Sequence, residues 1–271
     1  MTFPNDAAFC TAYDDLPLWS APFGLALLER VRLRGVKAAL DVGCGTGFPL
    51  IELADRLGAQ VPVTGVDPWD AALARVRMKL RERRVANVTF VLGSVQRLPF
   101  PDGSFDLIVS NNGLNNVPDA AGAVAEIRRV ARAGAQVVMT VNLPDSMREL
   151  YDAFDLLLDE KGLQAARVRM REHIAAKREP VQIWTRRFEK AGFTIVQAQI
   201  GSFRFRFADA EAIFAHSFIR AAFLPPWIEV LAGEAEPQGF FRELARRMDE
   251  RSREADAVIL TIPWLCLEAR G

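Results

Sequence analysis

The sequence predicts an α/β fold in which a seven-stranded, mostly parallel sheet carries helices on both faces, with an antiparallel last strand and helical lid insertions. Short apolar segments alternate with helical segments between residues 37 and 142. This alternation is typical of parallel βαβ units, whose strands are buried on both faces. The first apolar segment runs directly into a glycine-rich turn, which favours a ligand-binding sheet. Hydrophobic residues make up 50% of the 271 and charged residues 25%, which is ordinary for a globular chain.

The predicted strands are short and separated by helices. We predict strands at 37–42, 61–66, 88–92, 105–109, 136–141, 193–200 and 257–262. Helices are predicted at about 46–58, 69–84, 119–132, 145–177, 180–191 and 208–253, the last interrupted at Pro225-Pro226 and around Pro237. Because proline cannot donate to a strand ladder, Pro263 should end the last strand or create a bulge. Residues 203–207 alternate phenylalanine with arginine, which predicts either an edge strand with one buried face or a wall against substrate.

Helical segments outside the alternating region divide the chain into three predicted parts. An N-terminal helical cap covers residues 1–35, with breaks near Pro17 and Pro22, and the core covers residues 36–143. The C-terminal part, residues 144–271, carries the last two strands and helices at about 145–180 and 208–253. These helical stretches are too long to be simple connections, so we expect a lid over the top of the sheet.

Charge and cysteine content exclude several classes of partner and site. The 34 Lys and Arg residues balance the 34 Asp and Glu residues, so the strong positive field of a nucleic-acid binder is missing. Cys10, Cys44 and Cys266 are scattered and odd in number, which predicts neither a disulfide framework nor a metal site and fits a reducing cytoplasm. We see no signal peptide and no apolar run of about 18 residues, so we expect no membrane span.

The glycine-rich turn covers Leu40–Phe48 and contains the spacing Gly-x-Gly-x-Gly. Glycines let the backbone turn sharply and let a ligand approach closely, and the following helix supplies free N–H groups. Asp41 stands at the end of the first strand, two residues before the first glycine. Asp67 follows the second strand, where a carboxylate can accept both hydroxyls of a ribose. The turn and its two acids therefore predict a nucleoside-like ligand.

The segment Leu98–Ser110 reads LPFPDGSFDLIVS. Together with Leu40–Phe48 and Gly65–Asp67, it resembles the class I S-adenosylmethionine-dependent methyltransferases, in particular the small-molecule group with the ubiquinone/menaquinone methyltransferases (methyltransferase type 11 domain). The resemblance is strong over about residues 37–142 and otherwise topological. It implies a Rossmann-like fold, S-adenosylmethionine as cofactor with S-adenosylhomocysteine as product, and methyl transfer to a small-molecule acceptor under the lid. The 18 phenylalanines favour an apolar or aromatic acceptor, and we expect a monomer or a homodimer.

The resemblance also implies a role for each matching residue. The backbone of Gly43, Cys44 and Gly45 would pack against the methionine part of the cofactor, with Asp41 orienting its amino group and Asp67 binding the ribose. The adenine would be bordered by the residues that follow the second and third strands, namely Pro68, Trp69, Ser94 and Val95. The amino-acid end of the cofactor and the substrate would be met by residues that follow the fourth strand, namely Asn111 and Asn112.

At two places the sequence departs from the family pattern, so the roles of the family's residues there cannot be assigned to this chain. Many relatives have an acid where this chain has Ser94, so we expect the Val95 backbone N–H to contact the adenine instead. Relatives often have a His-His pair where this chain has Asn115-Asn116, so any role of that pair is not carried over.

The candidates for catalysis are His216, Asn112 and Tyr13, with Asn115 and Asn116 also near the predicted acceptor. His216 shares a predicted helix face with Asp209 and Arg220, which indicates a solvated surface; on a lid it would instead serve as a base. Tyr13 and Trp19 lie in a segment that resembles the one closing over the cofactor in the family, with simple packing as the alternative. We interpret His173 as structural.

Two functions of other classes stay open from the residues alone. A nicotinamide-dependent dehydrogenase uses Gly-x-Gly-x-x-Gly, whereas Gly43, Gly45 and Gly47 are spaced Gly-x-Gly-x-Gly. A protein that binds the cofactor without catalysis is permitted by Ser94 and by the missing histidine pair.

Overall fold

The computed structural model describes residues 6–15 and 19–271, and within them seven strands form one sheet in the order β3-β2-β1-β4-β5-β7-β6. The strands are β1 Ala39–Val42, β2 Val63–Asp67, β3 Val88–Leu92, β4 Phe105–Asn111, β5 Ala131–Asn142, β6 Thr194–Phe207 and β7 Val258–Arg270. Strands β3, β2, β1, β4 and β5 pair in parallel, and β7 pairs with β5 in the antiparallel direction. The predicted fold class is confirmed.

Two of the described helices precede β1, and the others lie between the strands, including the long segments that follow β5 and β6. They are α1 Ala7–Asp15, α2 Ala21–Arg30, α3 Leu50–Leu57, α4 Asp70–Arg83, α5 Ala120–Val130, α6 Arg148–Glu160, α7 Gln164–Ala175, α8 Val181–Lys190, α9 Ala210–Ala215, α10 Ser217–Ala222, α11 Leu224–Val230 and α12 Pro237–Arg251. A 3-10 helix covers Leu114–Asn116. The predicted break near Pro17 lies outside the described residues, and α2 begins at Ala21, next to the predicted break at Pro22.

The chain divides into two compact units. One, called the helical unit below, comprises Leu143–Glu179 and Ser202–Pro263. The other, called the sheet unit, comprises the described residues up to Asn142, then Pro180–Gly201 and Trp264–Gly271. The helical unit holds α6, α7 and α9 to α12, which are the helices predicted as a lid; the three-part division drawn from the sequence stays a prediction.

The central strands of the sheet unit are buried along their length. All four residues of β1 are buried, as are six of the seven in β4. Parallel strands with helices on both faces must be apolar on both faces, and their short apolar runs made them predictable. The strands at the two edges, β3 and β6, are more exposed. Phe203–Phe207 forms the end of β6, which confirms the predicted edge strand.

Two predicted boundaries that matter for the site and the sheet are wrong, namely the start of the helix after the glycine turn and the end of the last strand. The helix after the glycine turn begins at Leu50 instead of 46, because Gly45 and Gly47 have φ of +48° and +102° and prolong the turn. Strand β7 continues through Pro263 to Arg270; the ladder with β5 begins at Trp264, so Pro263 supplies only its carbonyl, which accepts from the Leu143 N–H at 2.9 Å.

Prolines and a glycine divide the long predicted helices of the helical unit. The predicted helix 145–177 is split into α6 and α7 at Gly162, whose φ is +69°. Pro225 and Pro226 lie in the first turn of α11, and Pro237 is the first residue of α12. Because the first turn of a helix needs no N–H from these positions, the prolines start helices here.

The close approach of β2 to the glycine turn gives a stability prediction at Gly65. A Cβ there would lie 2.7 Å from Leu50 Cδ2 and 2.8 Å from Cys44 Sγ, so Gly65→Ala should lower the free energy of unfolding by about 1–3 kcal/mol in chemical denaturation. Gly93→Ala is the matched control, since its Cβ would meet nothing nearer than 3.8 Å and the change should stay within about 0.5 kcal/mol. Equal effects of the two substitutions would contradict the packing argument.

Candidate functional site

Three buried polar residues stand at the carboxyl ends of neighbouring strands in the sheet unit. Asp41 is the third residue of β1, Asp67 ends β2 and Asn111 ends β4. Asp41 is completely buried, and Asp67 and Asn111 are each 8% exposed. Because β1 pairs in parallel with both β2 and β4, these ends share one edge of the sheet, where open α/β sheets bind ligands. The structure therefore brings together the residues predicted from three separate segments.

The glycine turn lies at the same edge and is held by its own backbone. The Gly43 N–H donates to the Val66 carbonyl at 2.8 Å, and the Gly47 N–H donates to the Cys44 carbonyl at 2.9 Å. Gly43 and Gly45 have positive φ, +76° and +48°. A Cβ added at Gly45 would meet no heavy atom within 4 Å, so the turn has open space beside it.

Asp67 is joined to this turn by hydrogen bonds. Its carboxylate accepts from the Gly45 N–H at 2.8 Å and from the Trp69 N–H at 2.9 Å. Burial raises the pKa of this carboxyl, and the two N–H donors act in the opposite direction. A carboxylate offers about four lone-pair sites, so Asp67 has capacity for two further donors such as a pair of hydroxyls.

Asp41 has a different environment, because neither of its oxygens has a hydrogen-bond partner. Burial, and then the charge of Asp67, raise the pKa of Asp41 to about 8. The Leu50 N–H at the start of α3 acts in the opposite direction without completing a hydrogen bond. A buried carboxylate without a partner is costly, and a positively charged group beside it would compensate the cost.

Asn111 is fixed by contacts on both sides of its amide. Its Nδ2 donates to the Ser20 carbonyl at 3.0 Å, and its Oδ1 accepts from the Thr140 hydroxyl at 2.9 Å. The amide therefore joins the end of β4 to β5 and to the residue that precedes α2. Both ends of the Asn111 amide are thus engaged in hydrogen bonds within the sheet unit.

Asn112, Asn115 and Asn142 form a hydrogen-bonded cluster beyond the ends of β4 and β5. The Asn142 backbone N–H donates to Asn112 Oδ1 at 3.1 Å, and Asn115 Nδ2 donates to Asn142 Oδ1 at 2.9 Å. Asn112 has a φ of +52°, and Asn115 Oδ1 is buried without a hydrogen-bond partner. Asn142 and Thr140 were missed by the sequence analysis; the rule that ligands bind at strand ends, applied to the end of β5, would have pointed to them.

The residues predicted to border an adenine lie next to the end of β2. The Gly93 N–H donates to the Asp67 carbonyl at 3.1 Å, which places the segment after β3 beside Asp67. Val95 is buried, whereas Ser94 and Pro68 are exposed. The Ser94 hydroxyl accepts from the Gln96 N–H at 3.2 Å.

Tyr13 and Trp69 pack edge to face, with ring centroids 5.8 Å apart. Burial, and then the charge of Asp67, raise the pKa of Tyr13 to about 12, and its hydroxyl is hydrogen-bonded to the Ser20 side chain. Tyr13 therefore stays protonated at neutral pH, which suits a hydrogen-bond donor and not a base.

The N-terminal helix α1 is tied to α4 by a buried ion pair. The Asp14 carboxylate pairs with Arg75 at 2.9 Å and with Lys79. The Lys79 ammonium also donates to the Thr46 carbonyl at 2.9 Å, within the glycine turn. The position of α1 is thus linked through charged contacts to the turn.

His216 belongs to the helical unit, whereas Asn112 and Tyr13 belong to the sheet unit. It lies between α9 and α10 and is half-buried, so the prediction of a solvated helix face is wrong; the helix breaks at this residue. Its ring packs on Phe207 at 5.6 Å, and Nδ1 is buried without a hydrogen-bond partner. Burial lowers the pKa of His216, so the ring is neutral at neutral pH.

Residues 6–15 and 19–271 contain neither a candidate metal site nor a helix that could cross a membrane. No group of three or more His, Cys, Asp and Glu side chains is arranged to hold a metal ion. None of the described helices combines the length and apolar character that crossing a bilayer requires.

Comparison with known proteins gives a domain-level match. Residues 40–139 match the family model described as a methyltransferase domain. A demethylmenaquinone methyltransferase from Geobacillus sp. (strain WCH70) is 38% identical over 111 residues, which are 41% of this chain and 47% of that protein. This chain spans about half the length of the curated relatives it matches.

Solved structures share the fold at low identity. An S-adenosylmethionine-dependent methyltransferase from Mesorhizobium loti is 17% identical with a TM-score of 0.52, covering 91% of this chain and 96% of that one. The [4+2]-cyclase SpnF is 20% identical with a TM-score of 0.56, covering 92% of this chain and 79% of that one. These likenesses show the Rossmann-like sheet; a shared fold does not by itself assign a reaction.

Proposed function

We propose that the protein, whose residues 40–139 match a methyltransferase-domain model, transfers a methyl group from S-adenosylmethionine to a small-molecule acceptor. The observation that carries the proposal is the pair of buried carboxylates, Asp41 and Asp67, on adjacent strands beside an open glycine turn. Asp41 has no hydrogen-bond partner, and Asp67 has lone pairs that its two N–H donors leave unused.

The two acids fit the two ends of this cofactor. Both oxygens of Asp41 are without a hydrogen-bond partner, and the ammonium group on the methionine part of the cofactor would favour the ionised form of this acid. Asp67 has capacity for two hydroxyl donors, which the ribose supplies. The open space at Gly45 lets the backbone of Gly43, Cys44 and Gly45 lie against the methionine part.

The adenine end is bordered by residues after β2 and β3. Pro68 and Trp69 follow Asp67 directly, and Tyr13 packs on Trp69. Ser94 has its hydroxyl engaged with the Gln96 N–H. No hydrogen bond to a described residue occupies the Val95 N–H, which supports its role as the donor to the ring.

The sulfonium of the cofactor supplies an already activated methyl group, so the protein has only to align the acceptor and exclude water. Asn112 and the unpartnered Asn115 oxygen stand beyond the β4 end to orient a polar acceptor group. A base is required only for an acceptor that is protonated at neutral pH. His216 has the neutral ring that such a base needs, so its role as base remains part of this proposal.

We further propose that the acceptor is apolar or aromatic and is held under the helical segments at about 145–180 and 208–253. The name of the Geobacillus relative, a demethylmenaquinone methyltransferase, supports an acceptor of this class. Phe203, Phe205 and Phe207 are half-buried, and successive rings are 5.3 and 6.4 Å apart. The three cysteines are free thiols, which fits the expected cytoplasmic location.

Calorimetric titration of the full chain tests the cofactor. We expect S-adenosylhomocysteine to bind with micromolar affinity and one-to-one stoichiometry, and NAD not to bind. Binding of NAD alone would replace the proposal with a dehydrogenase. Labelled methyl transfer to a panel of hydroquinones, phenols, amines and thiols then tests the activity. Binding without transfer to any member would indicate a protein that holds the cofactor without catalysis.

A further inference from the structure

The helical unit contains a buried cation, Arg178, that no carboxylate of the described residues neutralises. Arg178 follows α7 and is only 6% exposed. Its Nη2 donates to the Tyr151 hydroxyl at 3.0 Å, while its Nη1 is buried and has no hydrogen-bond partner. No ion pair joins Arg178 to a carboxylate among the described residues. A buried guanidinium with an unused N–H group is costly unless an acceptor is supplied.

The Tyr151 hydroxyl, which lies beside the Arg178 guanidinium, has a proton that it can donate. It accepts from Arg178 and also from Trp227 Nε1 at 2.9 Å. A phenolic oxygen that accepts twice still carries its own proton, which it can donate. The guanidinium carbon lies 4.7 Å from the Tyr151 ring centroid, so the cation and the ring are held together.

Further positive charge surrounds Arg178. Burial, followed by the charges of Arg178 and Lys177, lowers the pKa of His173 to about 4. Burial and the charge of Arg178 likewise lower the pKa of Lys177. The charges of Arg178 and Lys177 oppose each other and help to keep the His173 ring neutral, and an anion beside Arg178 would relieve this repulsion.

Aromatic side chains pack around Tyr151 and Trp227. Trp227 is completely buried and has rings of Phe223 and Phe214 at 5.8 and 6.3 Å. The Tyr151 ring meets Trp227 edge to face at 6.2 Å. The cluster therefore combines donors for an oxyanion with an apolar aromatic wall.

We propose that Arg178 and Tyr151 bind an oxyanion, a carboxylate or a phosphate, carried on an aromatic or otherwise apolar molecule. The planar guanidinium presents parallel N–H donors that match the oxygens of either group. The ligand of this cluster is therefore an amphiphilic acid. Phe214 and Phe223, which are half-buried beside Trp227, contact the apolar body, while Arg178 Nη1 and the Tyr151 O–H hold the anionic end.

The test compares ligands that differ only in the anionic group, titrated into the full chain by calorimetry. The pairs are 1-hydroxy-2-naphthoate with 1-naphthol, and phenyl phosphate with phenol, with inorganic phosphate as a separate probe. We expect at least one anionic member to bind about tenfold or more tightly than its neutral twin. A preference within the naphthoate pair would indicate a carboxylate site, and a preference within the phenyl phosphate pair would indicate a phosphate site. Equal binding within both pairs, or inorganic phosphate binding as tightly as the aromatic anions, would overturn the proposal.

Two variants connect the preference to this cluster. Arg178→Gln should abolish the advantage of the anionic ligand and leave the neutral twin unchanged, and Tyr151→Phe should reduce the advantage about fivefold. Tyr151→Phe keeps the ring, so it serves if Arg178→Gln fails to fold. A preference that survives in both folded variants would contradict the assignment.

Binding of S-adenosylhomocysteine, measured on each protein, keeps the two proposals apart. Both variants should bind it within about threefold of the parent, since the predicted cofactor residues lie in the sheet unit. If the parent protein did not bind S-adenosylhomocysteine, the proposed function would be contradicted and the inference about Arg178 would not. Loss of the anion preference with cofactor binding intact would remove the inference alone.

Discussion

Replacing Asp67 with alanine is expected to weaken the binding of S-adenosylhomocysteine at least about 100-fold. Each hydrogen bond from a ribose hydroxyl to a carboxylate contributes about 1.5–3 kcal/mol, and two such bonds are lost. The substitution also removes the acceptor of the Gly45 N–H, which loosens the glycine turn. Calorimetric titration of both proteins at neutral pH measures the change in dissociation constant.

Asp70→Ala is the matched control for Asp67→Ala. Asp70 is an exposed acid three residues further along, at the start of α4, so its removal makes the same change in charge. We expect its effect on cofactor affinity to stay within about threefold. Thermal unfolding of each variant verifies that it is folded. A similar small change for Asp67→Ala would show that the ribose lies elsewhere.

The second large effect is a dependence of cofactor affinity on pH that originates at Asp41. Its carboxyl, with a pKa of about 8 in the absence of ligand, is mostly protonated at neutral pH. The ammonium of the cofactor favours the ionised form, so binding lowers this pKa and releases a proton. The affinity should therefore rise with pH, by up to about tenfold per unit, and level off above pH 8. Titration calorimetry in buffers of different ionisation enthalpy measures both the affinity and the proton release.

Asp41→Asn removes the titrating group and should make the affinity nearly independent of pH between about pH 6 and 8. The same substitution should also change how the free energy of unfolding depends on pH. From the unfolded pKa near 3.8 up to about 8, the folded parent protein holds a proton that the unfolded chain has lost. The parent thus loses stability as pH rises through this window, and Asp41→Asn does not. Chemical denaturation without ligand should find the variant more stable at pH 8 and the difference smaller at pH 4; the reverse trend would refute the assignment.

The parallel sheet was predictable because local patterns determine it. Each strand from β1 to β5 is an apolar run bounded by helix or turn signals, and Asp41 and Asp67 stand at strand ends that the runs mark. The start of α3 was not predictable, since it depends on the φ angles that Gly45 and Gly47 adopt. The course of β7 through Pro263 depends on where its ladder with β5 begins.

Residues whose role depends on distant packing escaped the sequence analysis. Arg178 stands between Lys177 and Glu179, a pattern typical of a solvated segment. Its burial comes from contact with Tyr151, which Trp227 contacts from another helix. His216 has a helical pattern around it, yet the helix breaks there and the ring is half-buried on Phe207. Asn142 is recognised as part of the site only through its hydrogen bonds with Asn112 and Asn115.

The antiparallel pairing of β5 with β7 has a consequence for synthesis on the ribosome. Gln136 pairs with Arg270 and Asn142 with Trp264, so residues 143–263 must be made before β5 gains its second neighbour. Until then the nascent chain presents β5 as a row of open N–H and C=O groups, which invites pairing with other chains. Closing a ladder over so long a separation is also slow compared with forming the local βαβ units. Translation speed and chaperone access along this stretch should therefore govern the yield of active protein.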